Sequence, residues 1–217
     1  MQRYGDLQTL VRAEALDILG AFHPDDTDGA PAGTQTLLLL GPHEPGFWAA
    51  PQASPEFADR LPDALDRWST RVVTSLADQI NATALFPFGG PPYQPFIAWA
   101  RRSGRAWPSP AGLLVHDHCG LMVSYRGALA LPERVNLPAL PPCPCDGCKA
   151  RPCLSACPVG ALGGAGYDVA ACHGYLDTTP GQDCMSRGCA ARRACPVSQS
   201  YGRLEAQSAF HMRSFHP

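Results

Sequence analysis

Apolar positions recur at helical spacing from the start of the chain: Leu7, Leu10, Val11, Ala15, Leu16 and Leu19 share one face, which predicts a helix. The run TLLLL at 36–40, bounded by glycine, predicts a short buried strand. Between 61 and 80, Leu61, Leu65, Trp68, Val72, Leu76 and Ile80 again fall on one helical face, and TALFP at 83–87 predicts a strand closed by proline. A third helix is expected from Pro95 to Ser103. The stretch GLLVHDHCGLMVSYRGALAL at 112–131 is expected to form a hairpin turning at His116 to Gly120. Together these elements predict an α+β fold whose N-terminal part is an α/β sandwich with helices around a sheet.

The pattern changes at the stretch ALPPCPCDG. Residues 1–140 contain a single cysteine, Cys119, whereas 141–217 are dominated by cysteine, proline, glycine and alanine. Two domains are expected, 1–140 and 141–217, joined by a stiff linker at prolines 137–144. No internal repeat is seen in the first part. With 45% apolar residues in 217, the chain can bury a core, and its 23 prolines and 21 glycines predict many turns and few long helices.

Charge narrows the function classes. The formal net charge is −2, and no basic run exceeds Arg101-Arg102 and Arg192-Arg193, so a nucleic-acid footprint is not expected. The opening MQRYGDLQTLVRAEALDILGAF lacks a signal-peptide pattern, and no apolar stretch approaches the roughly 18 residues of a membrane span. A cytoplasmic protein without a membrane partner is therefore expected. In that reducing compartment ten cysteines point to metal or redox work rather than disulfides.

Nine of the ten cysteines lie between Cys143 and Cys195. The strongest signal is Cys145-x2-Cys148-x4-Cys153-x3-Cys157-Pro158, followed by Cys172, Cys184, Cys189 and Cys195-Pro196. Iron–sulfur clusters take thiolate ligands, three from a tight loop, while the cysteine before proline reaches across to the other cluster. Two Cys-Pro endings thus predict two interleaved [4Fe-4S] clusters. The insertion Lys149-Ala-Arg-Pro152 adds two residues to the usual bacterial C-x2-C-x2-C-x3-C-P run. A structural zinc site is the alternative, since zinc also takes four cysteines. Only Cys145-x2-Cys148 has the zinc-type pair spacing.

With these residues in view, the chain resembles epoxyqueuosine reductases and the related reductive dehalogenases. CDGCKARPCLSACPVGAL looks like that family's first cluster loop, DVAACHGYLDT like its following segment, and Ala194-Cys195-Pro196 like its closing motif. AWARRSGRAWPSPAGLLVHDHCGLMVSYRGALAL is similar in outline to the helix, glycine turn and hairpin that come before them, and the likeness covers roughly 65–197. The resemblance implies a corrinoid-binding α+β domain followed by a small bacterial two-cluster ferredoxin-like domain. It implies one cluster on Cys145, Cys148, Cys153 and Cys195, and the other on Cys157, Cys172, Cys184 and Cys189. Cys119 and Cys143 are left over, Cys143 as the nearest substitute ligand and Cys119 as a small buried apolar residue.

The resemblance further implies an oxidoreductase fed by a redox partner protein, with a corrinoid (cobalamin) or else a flavin, and a small-molecule substrate, at the first domain. One departure bears on catalysis. Where the family carries an aspartate proton donor, this chain reads FPFGGPPYQPF, with Gly89 or Gly90 at the position, so epoxyqueuosine reduction has no evident general acid. The alternative function is an electron carrier whose first domain only docks a partner. A zinc-stapled interaction protein is the third.

Weaker candidates remain. The loop holding Gly89, Gly90 and Tyr93 is read either as a place where backbone amides approach a cofactor or as a plain turn. His116, Asp117 and His118 are read as a polar hairpin tip rather than a metal-binding trio, since adjacent strand residues point to opposite faces, and Tyr125 and Arg126 as an ordinary strand pair rather than a contact to a cofactor's polar rim. His211 and His216 are expected to face water, and Trp48, Trp68, Trp99 and Trp107 to pack in the core.

Overall fold

The computed structural model describes residues 3–163 and 166–217, a mixed helix-and-sheet chain. It divides into two compact units, one made of 1–105 with 124–141, the other of 106–123 with 142–217. The sequence suggested one cut at 140. Instead the segment 106–123 belongs with the cysteine-rich part. Among the described residues no helix is long and apolar enough to cross a membrane.

The first unit opens with helix α1 (Tyr4–Ala13), which buries Leu7 and Val11, and strand β1 (Leu16–Phe22) follows at once. The helical spacing that ran on to Leu19 is therefore corrected. Ala15 takes a left-handed φ of 57°, and Leu16 and Leu19 lie in the strand. All seven residues of β1 are buried, and so are all seven of β2 (Thr36–Pro42), which contains the expected TLLLL run. A segment buried on both faces carries no period, so spacing alone cannot tell it from a helix. The side chain of Asp17, buried in β1, is held by Arg12 Nη2 at 2.8 Å and Gln8 Nε2 at 3.0 Å, which ties α1 to the sheet.

Two one-turn helices, α2 (Ala49–Gln52) and α3 (Pro55–Ala58), lead to α4 (Ala64–Gln79). Leu65, Trp68, Val72 and Leu76 of α4 are buried as the spacing predicted, joined by Val73 and Ala77. Leu61 stays outside the helix and exposed. Strand β3 (Thr83–Leu85) and helix α5 (Phe96–Arg102) match the two remaining local expectations to within two residues at each end. Next come β4 (Ala106–Pro108) and β5 (Leu114–His116) of the second unit, then β6 (Gly127–Leu131) of the first. The main sheet has the order β1-β2-β6-β3 with every neighbour antiparallel. Trp48, Trp68 and Trp99 pack in the core of this unit.

The hairpin expected over 112–131 is corrected. β5 pairs backward with β4, and GALAL at 127–131 leaves to become the central strand β6 between β2 and β3. A tight turn does exist at His116 to Gly120, closed by two backbone bonds of 3.0 Å; His118 is exposed and Asp117 half-buried, as a polar tip requires, but His116 is not part of it. His116 is fully buried, and its Nδ1 accepts the backbone N–H groups of His118 and Cys119 at 3.0 and 3.3 Å.

The second unit is a string of short elements. After α6 (Pro144–Gly147) and a 3-10 turn (Pro152–Leu154) come the two-residue strands β7 (Leu162–Gly163) and β8 (Gly166–Tyr167). Helices α7 (Val169–Leu176), α8 (Gln182–Arg187), α9 (Ala190–Ala194), α10 (Pro196–Ser200) and α11 (Glu205–Phe215) complete it. His211 and His216 are half-buried rather than facing water as expected. His216 bonds to Asp177 Oδ1 at 2.9 Å, and its ring packs on His173.

Candidate metal centre

Proline shapes the first cysteine loop. Pro144 opens α6 and Pro152 opens the 3-10 turn, positions where the fixed φ suits and the missing N–H is no loss. Between them Arg151 adopts a left-handed φ of 42°, which turns the chain between Cys148 and Cys153. From the far end of the unit, Cys195 arrives directly before Pro196 at the start of α10. Cys145, Cys148, Cys153 and Cys195 thereby line a single cavity of about 260 Å³. Its apolar walls are Val115, Leu121 and Val197, and Cys153 and Cys195 are buried in one cluster with Ala111, Val115 and Leu121.

The other four cysteines form a second group. Cys172 sits on α7, whose cap Asp168 accepts the Ala171 N–H at 2.9 Å, and Cys184 sits on α8. Cys157 and Cys189 interact electrostatically with Cys172, and Cys189 also with Cys184. Polar groups surround these sulfurs: the Ala161 N–H donates to Cys157 Sγ at 3.3 Å and the Tyr167 hydroxyl to Cys172 Sγ at 3.2 Å. The two groups are interleaved along the chain. Cys157, from the first motif, joins the later cysteines, and Cys195, from the last, joins the earlier ones.

Both groups are crowded with thiols. Burial pushes Cys145 up to about 11, with Cys143, Cys153 and Cys195 adding to the rise. Burial also raises Cys153, helped by Cys195, and raises Cys184, helped by Cys189. Cys172 is raised by burial against the opposing Tyr167 hydrogen bond, with Cys189 and Cys157 reinforcing burial. An anion on any of these four sulfurs is thus opposed, on balance, by its surroundings. A bound cationic group reverses that balance, because coordination deprotonates a thiol outright.

This donor set fits iron–sulfur ligation: four soft sulfurs around a cavity whose other walls are mainly apolar, with Ser109 and Arg151 as the polar exceptions. A tetrahedral zinc draws its sulfurs to about 2.3 Å from one point. Among the described residues no three His, Cys, Asp or Glu side chains converge on a single ion. Comparison of the chain with protein-family models, with curated proteins and with solved structures yields no match.

The leftover cysteines are placed as well. Cys119 is fully buried, and Cys143 stands beside Cys145 outside the residues that line the cavity. In the first unit, Gly89 and Tyr93 are exposed, and residues 91–95 separate Gly90 from the start of α5. A Cβ on Gly90 would come within 2.8 Å of the Tyr93 ring and 2.9 Å of the Pro92 backbone, so the loop's own path accounts for that glycine. Arg126 pairs with Asp66 Oδ1 at 3.1 Å.

Two residues near the second group were not singled out from sequence. Arg192, largely buried, donates from Nη1 to the Leu121 carbonyl at 2.6 Å and lies within electrostatic reach of Cys189 and Tyr167. A lone tyrosine five residues before a cysteine, or an arginine three after one, carries no period and no motif. Only the fold brings them to the sulfurs.

Proposed function

We propose that the second unit holds two [4Fe-4S] clusters in an interleaved, bacterial two-cluster ferredoxin-like arrangement and passes electrons through them. The observation that carries this reading is the sorting of eight cysteines into two groups of four, one around a cavity of about 260 Å³, with Cys157 and Cys195 exchanged between the motifs. Cys145, Cys148, Cys153 and Cys195 would hold one cluster, and Cys157, Cys172, Cys184 and Cys189 the other. When bound, such clusters supply one-electron reduction and reoxidation at potentials set by their surroundings. The chain's own part is to hold eight sulfurs, to set Val115, Leu121 and Val197 against the first group, and to offer hydrogen bonds to the second.

The acceptor is a substrate or a cofactor, a corrinoid or a flavin, taken by the first unit. A carrier that hands its electrons to a partner enzyme is the second reading. The loop at Gly89 and Gly90 favours it, because no carboxylate stands there to protonate a leaving group. Iron, acid-labile sulfide, zinc and cobalt content with a visible spectrum, on protein purified without oxygen, test both readings. About eight iron and eight sulfide per chain are expected. Zinc in place of iron would sink the cluster reading, and cobalt or a flavin band would decide for a bound acceptor over a carrier.

A further inference from the structure

The two cysteine groups are unlike in what surrounds them. Around the first, the cavity is lined by Val115, Leu121 and Val197 with Ser109 and Arg151 as its polar members; Arg151 is exposed to water, and one backbone N–H bonds to Cys153. Around the second, donors and positive charge gather. The Tyr167 hydroxyl donates to Cys172 Sγ at 3.2 Å, the Ala161 N–H donates to Cys157 Sγ at 3.3 Å, and the Ala190 N–H bonds to Cys184. Arg192, fixed by its bond to the Leu121 carbonyl, holds a guanidinium near Cys189 in a largely buried place, where water screens it little. Asp183, the carboxylate near Cys184, is tied up by Arg187 and Arg193 and adds little opposing charge.

Tyr167 is itself positioned. Its ring stacks on Phe215 with centroids 6.1 Å apart and 14° between planes, and Phe215 also meets the His173 ring edge-on at 4.7 Å. The end of α11 thus fixes the direction in which the hydroxyl points.

Reduction adds a negative charge to a cluster and its ligands. Hydrogen bonds to the sulfurs and nearby cations favour the more negative state, so they raise the reduction potential. We infer that Tyr167 and Arg192 are positioning residues that make the Cys157, Cys172, Cys184 and Cys189 site the higher-potential of two, where an added electron is the more stable. This rests on the cluster reading above and goes beyond it, by ranking the two sites.

The test is a redox titration of the iron-loaded protein followed by electron paramagnetic resonance. Two waves are expected in the unchanged chain. Tyr167→Phe keeps the ring and removes only the donor, so the upper midpoint falls, the lower stays, and iron and sulfide content are unchanged. Arg192→Lys, which keeps the charge but not the planar fork, lowers the upper midpoint by less than Arg192→Gln. Cys153→Ser assigns the waves, since it removes a ligand of the first site and so abolishes or moves the lower wave most. Full iron loading with both midpoints unmoved in Tyr167→Phe would overturn the ranking and leave the cluster reading standing. So would a shift confined to the lower wave, or loss of the upper wave in Cys153→Ser. Absence of iron and sulfide from the unchanged protein would overturn both.

Discussion

Single side chains set what each site can hold. Cys145 and Cys143 are two residues apart, yet only Cys145 lines the cavity with Cys148, Cys153 and Cys195. Cys145→Ser or Cys153→Ser is expected to cost about four iron per chain and to loosen the unit around it, because a small unit leans on its metal ligands. Cys143→Ser should leave iron content and the visible spectrum unchanged, and equal losses in the two variants would refute the ligand assignment. In the first unit, Arg71 grips the buried Glu56 carboxylate with bonds of 2.6 and 3.1 Å and holds its pKa, ordinarily 4.5, down at about 2. A depressed carboxyl pKa gives stability that is complete above about 4.5 and is lost as pH falls through about 2. Glu56→Gln is therefore expected to cost about 1 kcal/mol at neutral pH, a modest figure because Arg71 is half exposed. The difference from the unchanged chain should shrink on acidification below pH 4.5, as followed by denaturant titration at several pH values.

Elements carry the sites through contacts that no local pattern announces. The turn at His116 to Gly120 meets the start of α10, where Ser198 Oγ accepts the Leu121 N–H at 2.9 Å. Gly120 has a φ of 55°, and a Cβ there would lie 2.4 Å from the Ser198 backbone nitrogen. Gly120→Ala should therefore destabilise the second unit by about 2 kcal/mol or more, from left-handed strain and the clash together. It should also speed iron loss on dilution into chelator, since Leu121 and Cys195 both line the cavity. Unchanged iron retention would mean that the turn is only a bystander. The sequence spoke clearly where one face of a helix is wet, as in α4, where Leu65, Trp68, Val72 and Leu76 fall at the expected positions. It misled where burial erases the period. The helical spacing of α1 runs on into β1, and the sequence around β6 has the look of a local hairpin, although the partners of β6 are residues 36–40 and 83–85. Cysteine spacing drew attention to the candidate site because ligand chemistry is written in residue type, whereas Tyr167 and Arg192 act through position alone.

At the scale of the whole molecule, the second unit is discontinuous. It takes 106–123 from before the last sheet strand and 142–217 from after it, while β6 returns between them to the first unit. The apolar cluster around Cys153 and Cys195 is made largely by that early segment, through Ala111, Val115 and Leu121, with Trp107 and Leu113 packed against it. The same segment accepts Arg192 at the Leu121 carbonyl and Arg203 at the Met122 carbonyl, at 2.6 and 3.0 Å. A fragment of residues 141–217 contains every cysteine of both groups and yet lacks one wall of the first cavity. It also leaves two arginines without their backbone acceptors. Such a fragment, supplied with iron and sulfide without oxygen, is expected to load the Cys157, Cys172, Cys184 and Cys189 site in preference, to hold fewer than about eight iron, and to bleach in air faster than the full chain. Adding 106–123 back through a flexible linker should restore the missing iron, because what the fragment lacks is apolar cover rather than a ligand. Full loading and equal air stability in the bare fragment would show that the cysteine loops enclose their clusters unaided. The early segment would then serve only to join the two units.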